Sequence, residues 1–127
     1  MPSRRLSALE QLVMDHLWRL PGSTAVQCRD ALEASSRVLK ENTVRTLLQR
    51  LEKKGYVTHE LDGRTFLYWA SEPKTSVAAK AVKQIIDRFC GGSLEELLAG
   101  MVEHDVVSRE ELRDLAQRVA RSKGVRP

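Results

Sequence analysis

The 127-residue sequence predicts a mainly α chain with one small β-hairpin set between two groups of three helices. Three observations predict this. Apolar residues recur at helical spacing in six separate stretches. One stretch, 56–69, switches to period-two alternation around Asp62-Gly63. The helix-start pattern S/T-x-x-E/Q occurs at Ser7…Glu10, Thr24…Gln27, Ser93…Glu96 and Ser108…Glu111. In it a hydroxyl bonds an orphan backbone N–H and the later side chain bonds back.

The elements follow in order. A first helix is expected over about 7–20, with Leu9, Leu12, Val13, Leu17 and Leu20 as its main stripe. His16 falls on that inner stripe and is expected to be packed. Met14 and Trp18 lie off it at i, i+4, as core beneath the hairpin against Trp69. Pro21-Gly22 separates this helix from a second over about 24–35, where Cys28 reads as a small core filler. A third runs from Asn42 to Gly55. Val44, Leu47, Leu48 and Leu51 make one buried stripe, Lys53 and Lys54 suit the last turn, and Gly55 is the left-handed stop. Tyr56–Leu61 and Arg64–Trp69 then pair about an Asp62-Gly63 turn. That register sets Val57 opposite Tyr68, His59 opposite Phe66 and Tyr56 opposite Trp69. After Ser71–Thr75, with Pro73 suited to a first helical turn, come helices over about 74–90, 94–103 and 109–122, and a frayed tail 122–127.

Composition removes several function classes. Apolar residues at 42% and charged residues at 30% describe a globular chain, not a disordered one. Aromatics at 5% disfavour an RNA-stacking surface. No apolar run is long enough to span a membrane, and Glu10 and Asp15 interrupt any secretory segment. Two cysteines make no disulfide framework, so a cytoplasmic setting is expected. The net charge is +4, of which +3 falls within the first 70 residues, suggesting an anionic partner.

No catalytic pattern is present: no Gly-x-Ser-x-Gly, no phosphate loop, no His-Glu-x-x-His. Glu95-Glu96 and Glu110-Glu111 sit in first helical turns, where acids complement the dipole. His16, His59 and His104 share no metal spacing. Neither cysteine carries a sign of a lowered pKa. An enzyme, a metal and a cofactor are therefore not expected.

Three helices followed by a two-stranded wing form a winged helix-turn-helix arrangement. On a wheel at 100° per residue, the third helix turns Asn42, Thr46, Gln49, Arg50 and Lys53 away from its apolar stripe, with Thr43 and Arg45 at the flanks and no acid. Such a face suits the major groove. Asn and Gln pair with adenine, Arg with guanine, and Thr meets a thymine methyl or a phosphate. Arg64 at the hairpin tip would reach a phosphate or the minor groove. Two other readings remain open: a winged helix that docks protein, since fold does not fix function, and a ligand sensor.

The last three helices carry Val82, Ile85, Ile86, Phe89, Leu94, Leu97, Leu98, Met101, Leu112, Leu115 and Val119 on wide apolar stripes. About fifty residues rarely close a core alone, so a second copy is expected to cover them. The domain organisation read here is 1–72 as the winged helix and 73–127 as a helical dimerisation region.

Leu6-Ser-Ala-Leu-Glu-Gln-Leu-Val-Met-Asp-His-Leu-Trp18, Asn42-Thr-Val-Arg-Thr-Leu-Leu-Gln-Arg-Leu-Glu-Lys-Lys-Gly55, Asp62-Gly-Arg64 with Tyr68, and Phe89-Cys-Gly-Gly-Ser-Leu94 with Leu112 resemble the penicillinase-repressor (BlaI/MecI/CopY) family over about residues 6–120. The resemblance implies a homodimeric winged-helix repressor on a palindromic operator, with Thr43, Arg45, Thr46, Arg50 and Arg64 as DNA contacts. In antibiotic-responsive members of that family a protease cuts an Asn-Phe bond in the fifth helix. Here Gly100-Met101 stands at that place, so a regulatory protease as partner lacks that support. The paired Cys-x-Cys motifs of copper-responsive members are absent as well.

Overall fold

The computed structural model describes residues 5–122. The element order is α1 (Ala8–Arg19), α2 (Ala25–Ala34), α3 (Glu41–Lys53), β1 (Val57–Asp62), β2 (Thr65–Ala70), α4 (Lys74–Phe89), α5 (Leu94–Glu103) and α6 (Arg109–Ser122). The chain divides into two compact units between Val77 and Ala78. The expected tail lies almost wholly outside the described residues.

The helix starts are set by their caps. Ser7 accepts from the Glu10 N–H at 3.1 Å while Glu10 Oε1 accepts from the Ser7 N–H at 2.8 Å. Thr24 and Gln27 make the same reciprocal pair before α2. Ser93 and Ser108 make only the forward bond, to the N–H groups of Glu96 and Glu111. The returning half expected there is not formed among the described residues. Helix α3 has Lys40 at its N-cap and no side-chain cap bond, and it begins at Glu41, one residue ahead of expectation.

In the first unit, α1, α2 and α3 bury one core, formed by Val13, Met14, Leu17, Ala25, Cys28, Leu32, Val44, Leu47, Leu48 and Leu51, to which the hairpin adds Val57 and Tyr68. Leu20, expected on the α1 stripe, is 61% exposed because it is the C-cap, and Met14 takes a fully buried place instead. His16 is buried. The Ser23 hydroxyl donates to the Leu20 carbonyl at 2.6 Å, so at 2.9 Å it accepts from His16 Nε2, which fixes the tautomer. Burial, with Arg19 nearby, pushes the His16 pKa down. Trp18 donates its indole N–H to the Glu72 carbonyl at 3.0 Å. Trp69 lies over Gly22, where a Cβ would stand 3.0 Å from its ring carbons. Gly22 also has φ +78°, so two constraints select glycine there.

The hairpin register differs from expectation by two residues. Val57 pairs with Ala70, Thr58 with Trp69, His59 with Tyr68, Leu61 with Phe66 and Asp62 with Thr65. The two turn residues are therefore Gly63 and Arg64, not Asp62 and Gly63. Gly63 has φ +67° and Arg64 does not share a positive φ. That matches a turn with glycine at its first central position. Tyr56 precedes the strand, and its carbonyl accepts from the Ser71 N–H at 2.8 Å. Ser23 makes an isolated bridge with Tyr68, so β2 has a neighbour on each side.

The second unit is built differently. Among the described residues of α4, α5 and α6 none is buried, and Val107 in the α5–α6 connection is the one buried apolar residue beyond Val77. Val82, Ile85, Phe89, Leu94, Leu115 and Val119 are each more than 40% exposed. Ile86, Leu97, Leu98, Met101 and Leu112 are half-buried. No helix of the described residues is long and apolar enough to cross a membrane.

Candidate nucleic-acid interface

The Val44/Leu47/Leu48/Leu51 stripe is buried against α1 and α2, which fixes the rotation of α3 about its own axis. The opposite face must then turn outward. Asn42, Thr43, Arg45, Thr46, Gln49, Arg50 and Lys53 are all exposed, as is Arg64 at the tip of the wing. The side chains of Asn42, Gln49, Arg50, Lys53 and Arg64 make no hydrogen bond or ion pair among the described residues. Three of these five are cations, so a strong donor set is left unspent on the surface. The Thr46 hydroxyl instead donates to the Asn42 carbonyl at 3.0 Å, leaving its methyl and its acceptor lone pair outward.

The outer face read from the wheel holds no acid, but the structure adds one at its flank. Because α3 starts at Glu41, a carboxylate stands one turn before Arg45. Arg45 donates from Nε to Glu41 Oε2 at 2.9 Å and from Nη2 to the same oxygen. Arg29 of α2 lies 3.7 Å from the other Glu41 oxygen. Arg45 therefore belongs to an ion-pair group that spans two helices, unlike Arg50 and Lys53. The i, i+4 spacing of Glu41 and Arg45 is readable in the sequence; placing the helix start at Asn42 hid it.

The wing is held to α3 by a contact that sequence reasoning did not bring together. His59 Nδ1 donates to the Glu52 carboxylate at 2.8 Å. Its ring stacks on Phe66 with centroids 4.4 Å apart and meets Tyr68 at 5.9 Å. Tyr68 is buried, which pushes its pKa up. Between the start of α2, α3 and the wing lies an open cleft of about 410 Å³ lined by Thr24, Ala25, Val26, Arg45, Arg64, Thr65 and Phe66.

Nothing in this region resembles a reaction centre. Cys28 is buried and its thiol is pushed up to about 12, so it is held as an uncharged core group. Among the described residues no group of three or more His, Cys, Asp or Glu is placed to hold a metal ion.

Comparison with known proteins agrees with this picture. The family model described as "Penicillinase repressor" matches residues 6–121. The chain is 39% identical over 101 residues to the transcriptional regulator BlaI of Mycobacterium tuberculosis (strain CDC 1551 / Oshkosh), covering 78% of this chain and 72% of that protein. It is 26% identical over 115 residues to the penicillinase repressor of Bacillus licheniformis, covering 89% and 88%. The solution structure of the DNA-binding domain of the repressor BlaI superposes with a TM-score of 0.50 at 28% identity, covering 59% of this chain and 92% of that one.

Proposed function

This chain belongs to the penicillinase repressor family, and from that premise we propose that it is a homodimeric transcriptional repressor that covers a palindromic operator. Its family and relatives are transcriptional repressors, not enzymes. The observation that carries the reading is the outward face of α3, where Asn42, Gln49, Arg50 and Lys53 stand exposed and unpaired among the described residues.

Helix α3 enters the major groove, and Asn42, Gln49 and Arg50 read base edges. Lys53, Thr43 and Arg64 bond phosphates, which sets register and orientation. Residues 1–72 form the DNA-binding part and 73–127 the dimerisation part. The exposed apolar side chains of α4 to α6 support a second copy, because a face that wide on a lone chain would be open to water. Two copies of α3 then sit about 34–36 Å apart, or a multiple of that, on successive major grooves.

Nuclease footprinting on the DNA flanking the chain's own gene tests this. Two protected half-sites related by a dyad and about 10 bp apart centre to centre, or a multiple of it, are expected. Failure to protect any fragment at low and high salt alike would favour a surface that docks protein. Protection of a single, asymmetric site would remove the dyad.

A further inference from the structure

We propose that Glu41 is a positioning residue. It holds the Arg45 guanidinium so that Arg45 and Arg64 together form one seat for a phosphate of the duplex backbone. The inference rests on the DNA-binding reading above and assigns a task to an acid that reading does not use.

The geometry of the guanidinium carries the argument. It offers two bidentate edges: Nε with Nη2 along its side, and Nη1 with Nη2 at its end. Glu41 Oε2 occupies the side edge through both Nε and Nη2. The end edge stays available, and it has the fork geometry that matches two oxygens of one phosphate. Arg45 lines the cleft between α3 and the wing, and Arg64 lines the same cleft from the hairpin turn with no partner among the described residues. Two cations from separate elements thus converge on one open space. The other Glu41 oxygen lies 3.7 Å from Arg29, so the carboxylate is tethered from α2 as well as within α3.

An acid on a surface that meets a polyanion would by charge alone weaken binding. Positioning predicts the opposite sign. Ordering a long side chain before binding removes an entropy cost that the complex would otherwise bear. Removing Glu41 therefore loosens Arg45 and weakens binding, although it makes the protein more positive.

The test compares the full-length protein with Glu41→Ala, Glu41→Gln, Arg45→Ala and Arg64→Ala on the footprinted duplex, by fluorescence anisotropy over a salt series. Thermal unfolding monitors the fold, and the Glu41→Gln variant keeps the side-chain shape should the alanine variant lose stability. Glu41→Ala and Glu41→Gln should each weaken binding about three- to tenfold, the scale of ordering one long side chain. The Arg45 Nε–H signal should exchange slowly in the free parent protein and rapidly in Glu41→Ala. Duplexes carrying a neutral methylphosphonate at single positions should reveal one phosphate whose neutralisation weakens the parent more than it weakens Arg45→Ala or Arg64→Ala. Unchanged or tighter binding by the folded Glu41 variants, or two arginines that answer to different phosphates, would overturn the proposal while leaving DNA binding intact. A parent protein that binds no duplex would remove both.

Discussion

At the scale of single residues, the first unit carries a half-buried ion pair between α1 and the end of α3. Glu10 is 2% exposed, and Lys54 Nζ reaches its Oε1 at 2.7 Å and the Arg5 carbonyl at 2.9 Å. Burial by itself would raise the Glu10 pKa. The bonds from Lys54 and from Ser7 outweigh it, and the net shift is downward. A carboxyl whose pKa falls on folding stabilises the fold above its unfolded value, near 4.5, and that contribution is lost as pH drops through the lower folded value. The thermal midpoint of the parent should therefore fall toward that of Glu10→Gln as pH is lowered from 6 to 3; parallel curves would show that the pair contributes nothing pH-linked. Arg50 illustrates the other kind of residue, exposed and without a hydrogen bond or ion pair among the described residues. Arg50→Ala should cost about 1–3 kcal/mol of operator binding and relax the base preference at one position, if the contact is bidentate to guanine. Competition assays with single-base variants of the operator would measure both, and undiminished selectivity would place another side chain at that base. Buried and outward positions of α3 were readable because they follow helical periodicity. The Glu41–Arg45 pair was missed because Lys40 supplies no side-chain cap to mark where the helix begins.

At the scale of elements, the wing shows which part of a hairpin can be read without coordinates. Its existence and faces follow from alternation, but its register and its limits, each strand lying one residue later than expected, depend on which two residues make the turn. Asp62-Gly63 and Gly63-Arg64 both offer a glycine, and the protein uses the second. The resulting slip is two residues, which preserves parity, so Val57 and Tyr68 still share a face, and that face is the buried one. The same slip moves Arg64 from the start of a strand into the turn itself, its most exposed station. Arg64→Ala should thus weaken all sequences about equally and lower the salt slope of binding by about one unit. A binding isotherm series from low to moderate salt would show it, and an altered sequence preference would mean that Arg64 touches a base. Contacts that join separate elements, such as His59 with Glu52 and Trp69 over Gly22, carry no periodic signal and became visible only with the fold.

At the scale of the whole molecule, the two units contrast in how they satisfy the hydrophobic effect. The first encloses Met14, Leu17, Leu48 and Leu51 completely, whereas α4, α5 and α6 enclose nothing among their described residues. Leu115→Asp places a charge on the exposed stripe of α6, and Leu97→Asp places one on the half-buried face of α5. Either should convert a dimer to monomers in sedimentation, with the first unit still folded by circular dichroism. A monomeric parent at micromolar concentration would instead call for another cover for these helices. The helical limits of this half were readable from its serines and glycines. Its core was not, because that core is expected to be shared with another chain. One consequence follows from Val107 being the one buried apolar residue among the described residues of that half. If a second copy covers these helices, as proposed, their order is tied to mass action rather than to intramolecular packing. On that reading, dilution would loosen the second unit before the first, and the regulator would respond to its own abundance.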